Sequence, residues 1–236
     1  MFIQVIQGRC NDADALHRQM DRWREELEPS ASGWLGGTYG ITDDDEFVGV
    51  VRFDSRASAE ANSNRPEQGQ WWEATARLFD GEVSFHDCDD VTMMLDGGSD
   101  DAGFVQVIQG RLSDPEQFRH LMDGPMDTLH EARPDIIGGT IAVDADGFFT
   151  QTMAFRTEAD ARAGEQKVPP PEVMQEMEQM EAMMSEVSYH DLHHPWFASA
   201  GRHRCSRAAS GTGARRPAAR PVPRTADHSR GAGWET

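Results

Sequence analysis

The sequence predicts an α+β protein made of two similar β-α-β-β-α-β units. Two observations lead to this prediction. The stretch FIQVIQGR, which begins at Phe2, returns as FVQVIQGR beginning at Phe104. After each copy, runs with strand periodicity alternate in the same order with runs of helical periodicity. We therefore place one unit at residues 1–90 and the other at residues 104–197, with a linker over residues 91–103.

The first element of each unit is a strand. In the first unit, Ile3 and Val5 alternate with Phe2 and Ile6, so apolar side chains point to both faces. A strand with one solvent-facing side would instead alternate apolar with polar residues. The pattern predicts that both faces of this strand are buried.

The second element is an amphipathic helix. In the first unit, Asn11 and Asp12 offer side chains that can cap a helix N-terminus. Large apolar residues then recur at helical spacing as far as Leu27, with charged residues between them. One face of this helix is expected to pack on the sheet.

A hairpin of two strands follows in each unit. In the first unit its strands cover residues 34–39 and 47–53, joined by an Asp-rich turn. Its first strand contains the pair Gly36-Gly37, and the second unit has Gly138-Gly139 at the same place. Because no helix begins directly after these glycines, we expect a bulge or a close backbone approach instead of a phosphate-binding loop.

A second helical region and a last strand complete each unit. In the first unit the helix starts after Ser55, breaks before Pro66 and resumes through two tryptophans. The last strand ends in His-Asp in both units. This order is the ferredoxin-like arrangement. Because the first strand is apolar on both faces, we expect the two sheets to pack together as a pseudo-dimeric α+β barrel within one chain.

Charge divides the chain into an acidic body and a basic end. The net charge is −19, yet the last 38 residues carry eight arginines and only two acidic residues. We expect no nucleic-acid binding by the acidic body, because it repels phosphates. Residues 198–236 are rich in Ala, Arg, Pro and Gly and are expected to be disordered. A genuine basic arm and a frameshifted or read-through end remain alternatives for this tail.

The sequence also gives an expectation for the cellular location. The three cysteines have no CxxC spacing, and the chain opens on a strand pattern instead of a signal peptide. No apolar run approaches the roughly 18 residues that a membrane-spanning helix needs. We therefore expect a cytoplasmic protein with no membrane contact.

The broken second helix carries a resemblance to a known family. It contains the segment Asn-Ser-Asn-Arg-Pro-Glu-Gln-Gly-Gln over residues 62–70, directly before Trp71 and Trp72. With the element order above, it resembles the antibiotic biosynthesis monooxygenase-like domain of the dimeric α+β barrel superfamily. The resemblance covers residues 2 to about 90 and, more faintly, 104–194. It implies a cofactor-independent monooxygenase acting on a small aromatic or polyketide-like substrate.

The same resemblance implies the residues of a substrate pocket in the first unit. Trp71 or Trp72 matches the family's tryptophan, Gln68 stands where an amide is expected one turn earlier, and Gln4 matches the polar residue of the first strand. His86 is a more distant candidate for a general base. However, its neighbour Asp87 should point to the opposite face of the strand.

Alternative functions remain open. The superfamily also includes haem-degrading enzymes, isomerases and members without known catalysis, so a non-catalytic ligand-binding or interaction protein is the main alternative. The second unit lacks the two indoles, because either Val173-Met174 or Gln175-Glu176 occupies their place. We therefore expect the site only in the first unit.

The histidines near the end of the second unit raise the question of a metal. Side chains of His190, His193, His194 and Asp191 are of types that bind zinc, but their spacing fits no recognised site. We expect no metal and no cofactor. The expected partner is a small aromatic molecule, and a further homodimer remains open.

Overall fold

A computed structural model describes residues 1–95, 97–122 and 131–200, apart from the side chain of Glu172. These residues all belong to one compact unit. We predict a disordered tail over residues 198–236. Residues 201–236 of this tail lie outside the described residues.

The two halves of the described chain share one order of elements. In the first half these are β1 (Phe2–Cys10), α1 (Ala13–Glu26), β2 (Trp34–Ile41), β3 (Glu46–Phe53), α2 (Arg56–Ser63), α3 (Pro66–Ala76), β4 (Phe79–Cys88) and β5 (Asp90–Met94). In the second half they are β6 (Phe104–Leu112), α4 (Pro115–Met122), β7 (Ile136–Val143), β8 (Phe148–Phe155), α5 (Glu158–Glu165), α6 (Pro171–Met183), β9 (Met184–Leu192) and β10 (Trp196–Ser199). A short 3-10 turn, Glu28–Ser30, follows α1.

The strands form two antiparallel five-stranded sheets. Sheet 1 has the order β10-β2-β3-β1-β4, and sheet 2 has the order β5-β7-β8-β6-β9. Each sheet thus contains four strands of one half and one strand of the other. β5 leaves the first half to pair with β7, and β10 leaves the second half to pair with β2. The α+β prediction is confirmed.

The two sheets share a buried core. Ile3 and Val5 of β1 lie in one apolar cluster with Val105 and Val107 of β6, and all four are at most 1% exposed. The opposite face of β1 carries Phe2 and Ile6, which lie in a second apolar cluster with Leu16 of α1. The prediction that β1 is buried on both faces, as in a pseudo-dimeric barrel, is confirmed.

Two boundaries differ from those predicted. The segment 91–103 is not a plain linker, because most of β5 lies within it. The last strand includes residues 198 and 199, which we had assigned to the tail. In both cases the neighbouring sheet supplies an edge for backbone pairing, and a single-sequence pattern does not reveal that edge.

The paired glycines lie at bulges next to these exchanged strands. The pairing register shifts between Trp34 and Gly36 in β2, and between Ile136 and Gly138 in β7. Gly36 has φ +143°, and a Cβ on Gly138 would collide with the carbonyl oxygen of Gly97. The prediction of a bulge with close backbone approach is confirmed.

The second helical region of the first half breaks as the sequence indicates. The side chain of Ser55 caps α2 by accepting a hydrogen bond from the backbone N–H of Ser58, and Pro66 is the first residue of α3. α3 ends at Ala76, and Phe79 begins β4. In the described ranges, none of the helices has the length and apolar character required to span a bilayer.

Candidate functional site

A partly enclosed cavity of about 60 Å³ lies between the helix-facing side of sheet 1 and helices α1, α2 and α3. Its walls combine aromatic rings with a few amide and hydroxyl groups. The aromatic residues are Trp23, Trp34, Tyr39, Phe47, Phe53, Trp71, Trp72 and Phe79, and the other polar residues are Gln4, Asn62, Ser63, Gln68 and Thr75.

The structure brings together the four residues that we assign to substrate binding. Gln4 of β1 and Gln68, Trp71 and Trp72 of α3 all line this cavity. Gln4 lies on the helix-facing side of its strand, one position from the inward-facing Ile3. α3 begins at Pro66 after the break, and the ring of Trp72 lies 6.2 Å from that of Phe79 at the start of β4.

Hydrogen bonds fix two of these side chains. Gln68 accepts a hydrogen bond through Oε1 from the indole Nε1 of Trp23, at 2.7 Å. Gln4 donates through Nε2 to Asp87 Oδ1 on the neighbouring strand, at 2.9 Å. Both amides therefore hold fixed orientations at the cavity wall, and each retains capacity for a further hydrogen bond.

The two indoles of α3 have different surroundings. Trp71 donates from Nε1 to the carbonyl oxygen of Gln19 at 2.9 Å, and its ring lies 6.5 Å from that of Trp23. Trp72 makes an edge-to-face contact at 5.2 Å with Phe85 on β4, whose side chain is 46% exposed. Trp71 is thus anchored to α1, whereas Trp72 contacts an exposed ring of β4.

Sequence reasoning missed several cavity residues. Trp23, Trp34, Tyr39 and Asn62 line the cavity and were not among the predicted site residues. Asn62 is 7% exposed, and buried amides are uncommon, but this burial is visible only in the structure. Its Oδ1 accepts a hydrogen bond from Arg65 at 3.0 Å.

Trp34 holds an unused hydrogen-bond donor. Its side chain is 5% exposed and packs against Trp23 at 5.1 Å between ring centroids. Its Nε1 is buried and has no hydrogen-bond partner among the described residues. A buried N–H without a partner costs free energy, and a ligand oxygen could relieve this cost.

The cavity is electrically neutral at physiological pH. Tyr39 is the only ionisable side chain among the described residues that line it. Burial raises the pKa of Tyr39, so its phenol stays protonated and can donate a hydrogen bond. No carboxylate or imidazole lines the cavity in the described part of the chain, so a ligand would meet donors and aromatic faces there.

Gly37 makes room for Tyr39. The two residues point to the same face of β2, and the tyrosine ring folds back across the glycine. A Cβ on Gly37 would collide with the phenol oxygen of Tyr39. The second glycine of the pair is therefore a condition for placing this phenol in the cavity.

His86 lies away from the cavity. It pairs with Val5 across β1 and β4, and therefore projects toward the other sheet, whereas Gln4 faces the helices. Its Nδ1 is 2.9 Å from Oδ2 of Asp144 in the second half, and its ring stacks on Phe148 at 4.1 Å. The structure does not bring His86 together with the other candidate residues.

The second half carries different residues at the positions of the indoles. Both α3 and α6 begin with a proline, and from that common start Glu176 and Met177 take the places of Trp71 and Trp72. Met177 is 41% exposed. The second half thus lacks the two indoles at these positions, as expected, but the pair that replaces them is neither Val173-Met174 nor Gln175-Glu176.

Comparisons with known proteins extend this description. No protein-family model matches the chain, and no curated protein matches it in sequence. Among solved structures, a "putative monooxygenase" from Lactobacillus acidophilus NCFM aligns with a TM-score of 0.65 at 13% identity, covering 84% of this chain and 95% of that one. Another "putative monooxygenase", from Fusobacterium nucleatum, aligns with a TM-score of 0.65 at 9% identity, covering 85% and 94%.

A third structure, of an "anthrone oxidase-like protein", aligns with a TM-score of 0.62 at 10% identity, covering 85% of this chain and 93% of that chain. At such low identities these likenesses define the fold alone. The chain has the fold of antibiotic biosynthesis monooxygenase-like proteins, as the resemblance implied.

Proposed function

We propose that the first-half cavity binds a small electron-rich aromatic molecule and that the protein oxidises it with dioxygen, without a cofactor. The observation that carries the proposal is the convergence of Gln4, Gln68, Trp71 and Trp72 on one aromatic cavity. The names of the structural neighbours, two "putative monooxygenases" and an "anthrone oxidase-like protein", support the same chemistry.

The cavity walls suit a flat aromatic molecule that carries an oxygen. The indoles of Trp71 and Trp72 offer faces and edges for ring contacts. The phenol of Tyr39 can donate to a carbonyl or phenolate oxygen, and opening of the cavity would let such an oxygen reach the buried N–H of Trp34. The amide of Gln4, oriented by its neighbour on β4, offers a further polar contact.

The proposed reaction relies on the acidity of the substrate itself, because no group with base character lines the described cavity. Anthrone illustrates it. Its methylene carbon loses a proton to water, and the carbanion forms a C–O bond with dioxygen, which is reduced to a bound peroxide. The peroxide takes up a proton, and loss of the second C–H proton breaks the O–O bond and expels hydroxide. Anthrone and dioxygen thus give anthraquinone and water.

The cavity must open to admit such a molecule. Its volume of about 60 Å³ is well below the roughly 300 Å³ of typical ligand sites. Trp72 is partly exposed and contacts the exposed Phe85. We propose that rotation of the Trp72 indole enlarges the cavity toward solvent.

The small size and neutrality of the cavity also favour a second candidate function. A protein of the same fold could bind an aromatic molecule or a partner without converting it. The absence of a base among the described lining residues fits this alternative as well as it fits substrate-driven oxidation. Turnover separates the two.

The test is aerobic incubation of the protein with anthrone, followed by the absorbance of anthraquinone, with no flavin or metal added. We expect a rate above buffer, and a loss of about tenfold or more in Trp71→Ala because the aromatic contact positions the substrate. Glu176→Ala, at the equivalent place of the second half, is the matched control and should keep the full rate.

Two outcomes would contradict the oxidation. One is a rate equal to buffer for the wild-type protein. The other is a wild-type rate in both Trp71→Ala and Trp72→Ala, when each variant keeps the wild-type melting temperature. Saturable quenching of tryptophan fluorescence by anthraquinone without turnover of anthrone would instead support the binding function.

The role of His86 as general base remains a prediction, and the proposed reaction does not use it. Because His86 pairs with Asp144 across the two halves, His86→Gln should lower the melting temperature. A loss of oxidation in His86→Gln with the fold intact would restore this residue as the base. The cytoplasmic location and a further homodimer also remain predictions.

A further inference from the structure

A cluster of metal-ligating side chains lies in the second half, apart from the aromatic cavity. Ligand atoms of Glu158 on α5, Asp191 on β9 and His193 just after β9 all lie within 4.8 Å of one another. The carboxylate of Glu158 is 3.2 Å from Nδ1 of His193. We propose that these three residues bind a divalent transition-metal ion such as Zn²⁺.

The ligand types and distances suit such an ion. Zinc binds imidazole nitrogen and carboxylate oxygen at about 2.0–2.2 Å, so neighbouring ligand atoms in a tetrahedral site lie about 3.3–3.5 Å apart. The Glu158–His193 distance is close to this value. Because all three ligand atoms lie within 4.8 Å of one another, a movement of the Asp191 carboxylate by at most about 1.5 Å would bring the third ligand to the same separation.

The surroundings of His193 favour a cation. Its second ring nitrogen, Nε2, is 3.6 Å from the carboxylate of Asp43, so each ring nitrogen faces a carboxylate. A neutral imidazole has one N–H and can donate to only one of them. At the other nitrogen a lone pair faces negative charge, and a bound cation removes that repulsion.

The site is open to solvent. Glu158 and His193 line a broad groove of about 520 Å³ together with Asp43 and His194. The side chains of Glu158 and His193 are 45% and 30% exposed. An ion held by three protein ligands here would therefore retain water at its remaining position.

Arg162 lies between the carboxylates of Glu158 and Asp191. Its guanidinium contacts Asp191 and lies 3.3 Å from Glu158. The same guanidinium is 3.2 Å from Glu165, so it has another partner on its own helix. Arg162 can therefore turn to Glu165 while a metal takes Glu158 and Asp191.

The first half provides an internal contrast. Arg56 occupies the place of Glu158, directly after the N-cap of the helix, and Asp89 occupies the place of His193. There the two residues form an ordinary ion pair at 2.7 Å. The exchange of an Arg–Asp pair for a Glu–His pair gives the second half a set of metal ligands that has no counterpart among the described residues of the first half.

The experiment is a calorimetric titration of the full-length protein with Zn²⁺ at neutral pH, together with thermal melts. We expect a site that His193→Asn and Glu158→Gln each weaken by about tenfold or more. Zn²⁺ should raise the melting temperature of the wild-type protein but not that of either variant. Asp89→Asn, the equivalent position in the first half, is the matched control and should bind as the wild type does.

Removal of Arg162 should have the opposite effect on the affinity for Zn²⁺. Arg162→Gln should bind Zn²⁺ more tightly, because the competing cation is gone. Zinc binding that is unchanged in both His193→Asn and Glu158→Gln would overturn the proposal, as would weaker binding in Arg162→Gln. If the wild-type protein binds no Zn²⁺, the proposal is also overturned, and the cluster is a structural network of hydrogen bonds and ion pairs.

Discussion

The two halves of this chain share strands and differ in what lies on them. In both halves the first strand is buried on two sides, and in both a glutamine of that strand hydrogen-bonds the aspartate of the last strand: Gln4 with Asp87, and Gln106 with Asp191. The helices differ, since Trp72 of the first half is replaced by the exposed Met177. Repetition therefore marks the scaffold, and divergence marks the candidate sites.

The two halves also differ in the arginine by which a helix contacts the first strand of its half. Arg56 lies over the ring of Phe2 at 4.7 Å, and Arg162 lies over the ring of Phe104 at 5.3 Å. The two arginines come from different helix positions, one at the start of α2 and the other a turn into α5. The cation contact is kept while the residue that provides it changes, which frees Glu158 for another role.

The largest expected effect tests the repeated glycines. A Cβ on Gly139 would meet the backbone oxygen of Thr152 and the side chain of Met94, so Gly139→Ala should cost about 3 kcal/mol or more in the free energy of unfolding. Gly37→Ala meets the ring of Tyr39 and should cost about 1–3 kcal/mol. Urea denaturation measures both.

The glycine test has a control on the exposed surface of α3. Gly69 lies inside α3, and a Cβ there would meet nothing within 4 Å. Gly69→Ala should therefore stabilise the protein by about 0.5–1 kcal/mol, because alanine favours the helix. Equal losses in all three variants would contradict the view that the paired glycines make room for specific neighbours.

A smaller effect distinguishes the bulges of the two last strands. Gly81 in β4 has φ +86°, and Glu186 at the equivalent place in β9 has φ +52°. Gly81→Ala should cost about 1 kcal/mol, whereas Glu186→Gly should gain about 0.5–1 kcal/mol by removing left-handed strain. The ion pair of Glu186 with Arg111 is exposed and contributes little. A loss of stability in Glu186→Gly would contradict this assignment of strain.

The smallest effect concerns His190, which is the equivalent in the second half of His86. Burial lowers the pKa of His190, with Glu46 and Asp191 opposing this shift. Protonation therefore favours the unfolded chain, and stability should fall as the pH drops through the ordinary histidine pKa of about 6.5. His190→Gln should reduce the loss in melting temperature between pH 7 and pH 5. An unchanged slope would show that other groups control acid sensitivity.

Much of the candidate site was accessible from the sequence because helical spacing is local. The break before Pro66 and the adjacent Trp71 and Trp72 already indicate which helix faces a pocket. Trp34 and Tyr39 could not be assigned to that pocket, because a strand pattern does not tell which face of a sheet meets which helix. The displacement of His86 to the other face follows from strand alternation once the pairing of Val5 is known.

The sequence by itself determined the repeated order of elements, the burial of the first strand on both faces and the bulges at the paired glycines. These features follow from periodicity and from backbone sterics, which act over a few residues. Only the tertiary structure decided that β5 and β10 cross to the opposite sheets, and that Glu158 meets His193. Such contacts join residues far apart in the chain, and they depend on how the two sheets pack.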